Sequence, residues 1–252
     1  MRPKIAVYKF SSCAGCQLQI LNMEEQLLDI AGAVELSYFV MARRDKGGGP
    51  FDIGFVEGAV TSPDEVAKIK RIRKECRTLV ALGTCAAFGG IPTLKNWAPQ
   101  REMEEMVYQD PSVIQSVRAY PIDAYVQVDE YLRGCPIVQE EFLELVKSAL
   151  LGTRPHLRAH SICNECKLAE NVCLFQTERQ LCMGPVTAAG CGALCPSMGK
   201  ACQGCRGPAD DANAESLAEV WLESGASPDE IRRRFRLYAG ESKAFRRGVA
   251  ML

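Results

Sequence analysis

The stretch Ile5-Ala6-Val7-Tyr8-Lys9-Phe10-Ser11-Ser12-Cys13-Ala14-Gly15-Cys16 decides the fold. Its apolar run has the length of a strand, and the loop that follows offers two cysteines. Downstream, Leu18, Leu21, Leu27, Leu28 and Ile30 predict an amphipathic helix. The alternation continues along the chain. Glu35 to Met41 and Asp52 to Val56 read as strands, the second ending in Glu57-Gly58. Ser62-Pro63-Asp64-Glu65 opens a helix to about Glu75, with Ser62 as N-cap, Pro63 at the first position and acids in the first turn. Thr78 to Leu82 reads as a strand ending in Gly83-Thr84-Cys85, Tyr125 to Val128 as one more, and Ile137 to Leu150 as a helix after Pro136. Strands separated by helices predict an α/β fold with a parallel sheet. In such sheets sites collect at the carboxyl ends of the strands. Cys13, Cys16, Glu57 and Cys85 each follow a strand, which gathers them at one edge.

The 252 residues carry 30 Lys+Arg against 31 Asp+Glu, so nothing in the net charge attracts nucleic acid or anionic lipid. There is no stretch long and apolar enough for a membrane span. The start, Met1-Arg2-Pro3-Lys4, leads into no secretory h-region, and Arg43-Arg44 is internal. The expected location is the cytoplasm, where 13 cysteines are not held as disulfides. Metal ligation, redox catalysis or packing must account for them. Only His156 and His160 are present, which favours all-cysteine ligation over mixed Cys/His sites.

Composition changes near Gly152, giving an expected division into domains 1–152 and 153–252. Residues 160–207 hold eight of the cysteines among many Gly and Pro, with little apolar periodicity. Something covalent or metallic must hold such a segment together. The cysteines form two groups of four: Cys163, Cys166, Cys173 and Cys182, then Cys191, Cys195, Cys202 and Cys205. A four-thiolate group binds one zinc or one [4Fe–4S] cluster, and spacing alone does not separate the two. The Cys195-Pro196 pair, the density of cysteines and the surrounding glycines favour iron–sulfur. Gly190, Gly192, Gly199 and Gly204 let backbone N–H groups approach bridging sulfides. Past Gly207 the pattern is helical again, through Leu217, Val220, Trp221 and Leu222, then Ser227-Pro228-Asp229-Glu230.

In the first half, Cys13-x2-Cys16 alone could be a thioredoxin-like redox pair. Cys85 and Cys135, the latter in Gly134-Cys135-Pro136, lie at comparable loop positions and could close a cube-shaped cluster. Cys76 reads as a structural or surface thiol, and without it twelve cysteines make three groups of four. Glu57 reads equally as a buried proton-handling carboxylate or as a helix-start anchor. Gly47-Gly48-Gly49 lacks either phosphate-loop fingerprint and reads as a flexible loop. His160 reads as exposed or as a neighbour of the ligands. Arg232, Arg233, Arg234 and Arg236 read as a solvated or partner-facing surface.

Taken together, Ser12-Cys13-x2-Cys16-Gln17, Val56-Glu57-Gly58, Gly83-Thr84-Cys85-Ala86, Gly134-Cys135-Pro136, Cys182-Met183-Gly184-Pro185 and Cys202-Gln203-Gly204-Cys205-Arg206-Gly207 resemble the small, electron-transferring subunit of [NiFe] hydrogenases. The likeness spans most of the chain. It is strongest to the cytoplasmic NAD(P)-linked bidirectional or sulfhydrogenase type, whose small subunit is called delta. The resemblance implies a flavodoxin-like parallel sheet domain followed by a small irregular iron–sulfur domain with C-terminal helices. It also implies three [4Fe–4S] clusters. Cys13, Cys16, Cys85 and Cys135 match the proximal ligands, Cys191, Cys195, Cys202 and Cys205 the medial, and Cys163, Cys166, Cys173 and Cys182 the distal. Glu57 matches a family glutamate beside the proximal cluster. No nickel-binding motif and no fingerprint for FAD or NAD(P) is present. Those groups are therefore expected in partners: a large Ni–Fe subunit, and iron–sulfur and flavin (diaphorase) subunits. Other readings are the small subunit of an F420-reducing or heterodisulfide-reductase-linked hydrogenase, a relative in NADH:quinone oxidoreductase, and a zinc-binding interaction module.

Overall fold

The computed structural model describes residues 2–44 and 47–252. The chain divides into two compact units, Met1–Phe142 and Leu143–Leu252.

The first unit runs β1 (Lys4–Lys9), α1 (Gly15–Leu21), α2 (Glu25–Ala33), β2 (Glu35–Phe39), β3 (Phe51–Glu57), α3 (Pro63–Glu75), β4 (Cys76–Leu82), α4 (Gly83–Phe88), α5 (Gln100–Val107) and β5 (Glu130–Leu132). The strands form one parallel sheet in the order β2-β1-β3-β4-β5, the flavodoxin-like order expected from the resemblance. Its central strands are apolar on both faces. Phe55, Val56, Leu79, Val80 and Leu82 are fully buried, as strands covered by helices on both sides require. Helix α3 begins as its sequence dictates. Ser62 Oγ accepts from the Glu65 N–H at 3.2 Å, Pro63 opens the first turn, and Ile69 and Ile72 face the core.

Two expectations are corrected. The single helix expected over Leu18 to Ile30 is two. Met23 turns into the core and its N–H bonds back to Ile20 O, while Glu24 adopts a positive φ of 48°, so α1 stops before α2 starts. The exposure of Leu18 and Leu28 shows that the assumed stripe is not one buried face. The last strand is Glu130–Leu132 rather than Tyr125 to Val128. The Tyr125 and Val126 N–H groups both bond back to Ile122 O, which bends that segment. Its apolar side chains still pack on the core without joining the ladder. The Asp129 carboxylate accepts from Leu79 N–H at 2.7 Å and starts the real strand.

Helix α6 (Gln139–Leu151) spans the division between the units. The second unit continues with α7 (Ile162–Leu168), α8 (Leu174–Glu178), α9 (Leu194–Ser197), α10 (Ala214–Glu223), α11 (Pro228–Arg236) and α12 (Lys243–Ala250). The cysteine-rich segment has only short helices and isolated bridges, Ser161 to Ala188 and Thr187 to Pro208. The last three helices share a core in which the Phe235 ring lies 5.5 Å from both Trp221 and Phe245. Ser227 and Glu230 form the full capping box of α11. Among the described residues, no helix is long and apolar enough to cross a membrane.

Candidate metal centres

Strand order reverses between β1 and β3, and their carboxyl ends lie side by side: Lys9 is the register partner of Glu57, and Phe10 N–H donates to Glu57 O at 2.7 Å. Such a switch point is where α/β sheets bind ligands. Here the chain leaves β1 through Cys13, turns at Ala14 with φ 66°, and enters α1 at Gly15. The Cys16 N–H, in the first turn and without an intrahelical acceptor, donates to Glu57 Oε1 at 3.1 Å. Gln17 Nε2 donates to Glu57 Oε2 at 2.7 Å. Glu57 is 1% exposed and Gln17 fully buried. The Glu57 carboxylate thereby fixes the turn that presents Cys16.

Cys85 follows β4 inside α4, and Cys135 follows β5. The two loops are clamped together. Thr84 N–H donates to Gly134 O at 2.9 Å, and Gly134 N–H donates to Thr84 Oγ1 at 3.3 Å. Gly83 has φ +80°, and a Cβ there would stand 2.3 Å from Cys16 Sγ and 3.3 Å from Gly134 O. The packing of these loops against the Cys16 sulfur thus depends on glycine.

Electrostatics place all four thiols in one neighbourhood. Burial pushes the Cys16 thiol up, and the Glu57 carboxylate, Cys85 and Cys135 push the same way. Cys85 is pushed up to about 12, by burial first and then by Cys135, with Cys13 and Glu57 adding to it. Cys135 is raised by burial, Cys13 and Glu57. Cys16, Cys85 and Cys135, whose ionisation is disfavoured, form a poor site for free thiolates and a suitable one for a cationic metal centre.

In the second unit, Cys163, Cys166, Cys173 and Cys182 together line a cavity of about 230 Å³, with apolar side chains such as Leu174, Phe175, Pro185 and Leu217 among them. Burial pushes Cys163 up to about 11, and Cys182, Cys166 and Cys173 add to it. Cys182 is raised by burial, opposed by the backbone N–H groups of Gly184 and Cys202, the latter 3.3 Å from its sulfur. Apolar walls, four convergent sulfurs and backbone donors to sulfur fit a [4Fe–4S] cluster. Among the described residues, no three His, Cys, Asp or Glu side chains close on a single-ion site.

The remaining four are placed less directly. Burial raises Cys202, and Cys182 and Cys205 lie near enough to add to it. Cys191 and Cys195 stand on the neighbouring loop and on α9. Two buried charged residues organise this loop. Glu165 receives backbone N–H groups from Gly190 and Ala193, and Arg206 Nε donates to Ala188 O and Ala189 O. Neither residue stood out in the sequence. The available signal was an ionisable residue inside a Cys-x2-Cys pair, and one directly after a cysteine.

Other expectations resolve plainly. His160 is exposed and takes part through its carbonyl, which accepts from Ala189 N–H at 2.8 Å. Cys76 is buried at the start of β4 rather than on the surface. Arg232 pairs with Asp229, and Arg234 reaches Gln203, between Cys202 and Cys205, so the arginine run is partly structural.

Comparison with known proteins agrees with this architecture. Residues 13–149, just over half of the chain, match the family described as NADH ubiquinone oxidoreductase, 20 Kd subunit. The match begins after β1, takes in the other four strands and the four sheet-edge cysteines, and ends before the eight-cysteine segment. Sulfhydrogenase 2 subunit delta of Pyrococcus furiosus is 34% identical over 94% of this chain and 99% of its own length. A vhu-type F420-non-reducing hydrogenase subunit of Methanococcus voltae is 29% identical over 93% of each chain. Among solved structures, an NAD+-reducing [NiFe]-hydrogenase in the H2-reduced state superposes with a TM-score of 0.58 at 27% identity, covering 62% of this chain and 96% of that one. Similarity to hydrogenase subunits thus runs along nearly the whole length, and the chain belongs to the NADH ubiquinone oxidoreductase 20 Kd subunit family as one of its hydrogenase small (delta) subunits.

Proposed function

We propose that this chain relays electrons between the Ni–Fe site of a large hydrogenase subunit and an NAD(P)-reducing flavin subunit, using three [4Fe–4S] clusters. The observation that carries the proposal is the convergence of cysteines at two places: the four at the sheet edge, and the four around one apolar cavity. Bound there, such clusters supply one-electron chemistry at potentials set by ligands, hydrogen bonds and exposure. The chain supplies the rest. Cys13, Cys16, Cys85 and Cys135 hold the proximal position, with Glu57 fixing Cys16. Cys191, Cys195, Cys202 and Cys205 hold the medial one, and Cys163, Cys166, Cys173 and Cys182 the distal one. Apolar side chains such as Leu174, Phe175, Pro185 and Leu217 line the cavity at the distal position. The domain roles follow, with the proximal site in residues 1–152 and the other two in 153–252. We place the complex in the cytoplasm.

The likeness to the NAD+-reducing hydrogenase supports the nicotinamide-linked partner. The likeness to an F420-non-reducing hydrogenase over nearly the full length supports a second reading, in which another oxidoreductase takes the flavin subunit's place. Co-purification under anaerobic conditions decides between them by the subunit that accompanies the large one. The cluster assignment is tested by metal analysis and EPR of the reconstituted chain. About twelve iron atoms per chain is the expected result. About four iron atoms, or bound zinc in a colourless protein, would overturn it.

A further inference from the structure

Glu165 lies between Cys163 and Cys166 on α7, yet its carboxylate serves another stretch of chain. Oε1 accepts from Gly190 N–H at 2.9 Å and from Arg158 Nη1 at 2.7 Å, and Oε2 accepts from Ala193 N–H at 3.3 Å. Gly190 and Ala193 bracket Cys191. The Glu165 side chain is 8% exposed, whereas Arg158 is more than half exposed. Three donors and no acceptor surround it, a set that suits a carboxylate and not an amide, whose NH2 would face a donor. Glu57 is used in the same way in the other unit, where one buried carboxylate takes the backbone N–H of Cys16.

We propose that Glu165 is a positioning residue shared by the two cysteine sets of the second unit: carried on the helix of Cys163 and Cys166, it fixes the loop of Cys191 and places a negative charge beside it. The proposal rests on the reading that both sets bind clusters. Two effects follow. The loop around Cys191 cannot move independently of α7, so both sets keep one relative geometry. The charge disfavours adding an electron at the Cys191 set, which holds its reduction potential below the value it would have beside a neutral residue. Arg206, buried on the same loop with Nε on the Ala188 and Ala189 carbonyls, supplies the opposing charge.

The test uses the full chain, reconstituted anaerobically, as wild type, Glu165→Gln, Glu165→Asp and Arg158→Ala. Hydrogen exchange at the Gly190 and Ala193 amides reads the positioning, and an EPR-monitored redox titration reads the charge. In Glu165→Gln both amides are expected to exchange at least tenfold faster, and one cluster to titrate at least about 59 mV higher, a tenfold change for a one-electron couple. Glu165→Asp is expected to keep the wild-type potential while loosening the amides. Arg158→Ala is expected to leave both amides protected. Wild-type exchange in Glu165→Gln overturns the positioning, and equal potential shifts in the Gln and Asp variants overturn the charge effect. A wild-type chain with about four iron atoms sinks the three-cluster reading instead. The exchange comparison between wild type and Glu165→Gln still decides the role of Glu165 in that case, and also where the Gln variant loads no cluster.

Discussion

Replacing Gly83 by alanine imposes two separable costs, and the structure sets the size of each. The first is conformational: φ is +80°, and an L-residue held there pays about 1–2 kcal/mol. Gly225, with φ +92° and nothing within 4 Å of a built Cβ, pays that cost alone and serves as the control. The second is steric. The new methyl would lie 2.3 Å from Cys16 Sγ, more than 1 Å inside ordinary contact, with the Gly134 carbonyl at 3.3 Å behind it. The sulfur must yield, but Cys16 is held from beneath by Glu57, so it leaves the position that faces Cys85 and Cys135. Thermal unfolding is expected to drop for both variants, and further for Gly83→Ala. Only Gly83→Ala is expected to lose a cluster, read as about four iron atoms fewer and the loss of one EPR component. A Gly83→Ala chain with wild-type iron content, destabilised no more than Gly225→Ala, would refute the argument that this glycine exists to admit the sulfur.

Three further outcomes are expected. Glu57→Ala strands the Cys16 N–H and the Gln17 amide in a buried site, at about 1–3 kcal/mol each, so denaturant unfolding should lose about 2–6 kcal/mol; an unchanged midpoint with altered H2-dependent activity would instead identify a proton-handling role. A Cβ at Gly54 would stand 2.3 Å from Cys76 Sγ, so Gly54→Ala should cost about 1–3 kcal/mol by overpacking, and adding Cys76→Ala should restore most of it. Burial pushes the Cys76 thiol from its ordinary value of 9.0 up to about 11, outweighing the opposing pull of Arg73. The unfolded chain therefore ionises first, so this contribution to stability is complete below about pH 9 and lost as pH rises toward 11. Cys76→Ala should flatten the stability profile in that window, and an equally steep profile would count against it.

Much of this was legible in the chain itself. β1, β3, β4 and α3 read correctly because continuous apolar runs and a Ser-Pro-acid start are local signals, and local signals survive folding. Tyr125 to Val128 misled because apolar aromatics pack on a core whether or not they join a ladder, and the Asp129 bond to Leu79 N–H that places β5 is a long-range event. The helix break at Met23 has the same origin, a side chain claimed by the core. The two later groups of four cysteines are visible as spacing, and the sheet-edge four only as loop positions after strands. What spacing could not convey is the set of residues that hold them: Gln17 and Glu165 look like ordinary polar positions until the fold turns them inward. Gly83 was quoted only as part of a motif, and its reason, a sulfur 2.3 Å from its missing methyl, exists only in three dimensions.

The sheet-edge cysteines come from the ends of β1, β4 and β5, whereas Cys163, Cys166, Cys173 and Cys182 come from one short stretch. Closing a long loop costs entropy that only tertiary contacts repay. The short stretch can gather its four cysteines while its neighbours are still disordered, but the scattered four come together only once β5 has docked. Meeting of the sheet-edge four therefore reports that the first unit has finished folding, whereas meeting of the later four reports only on its own stretch of chain.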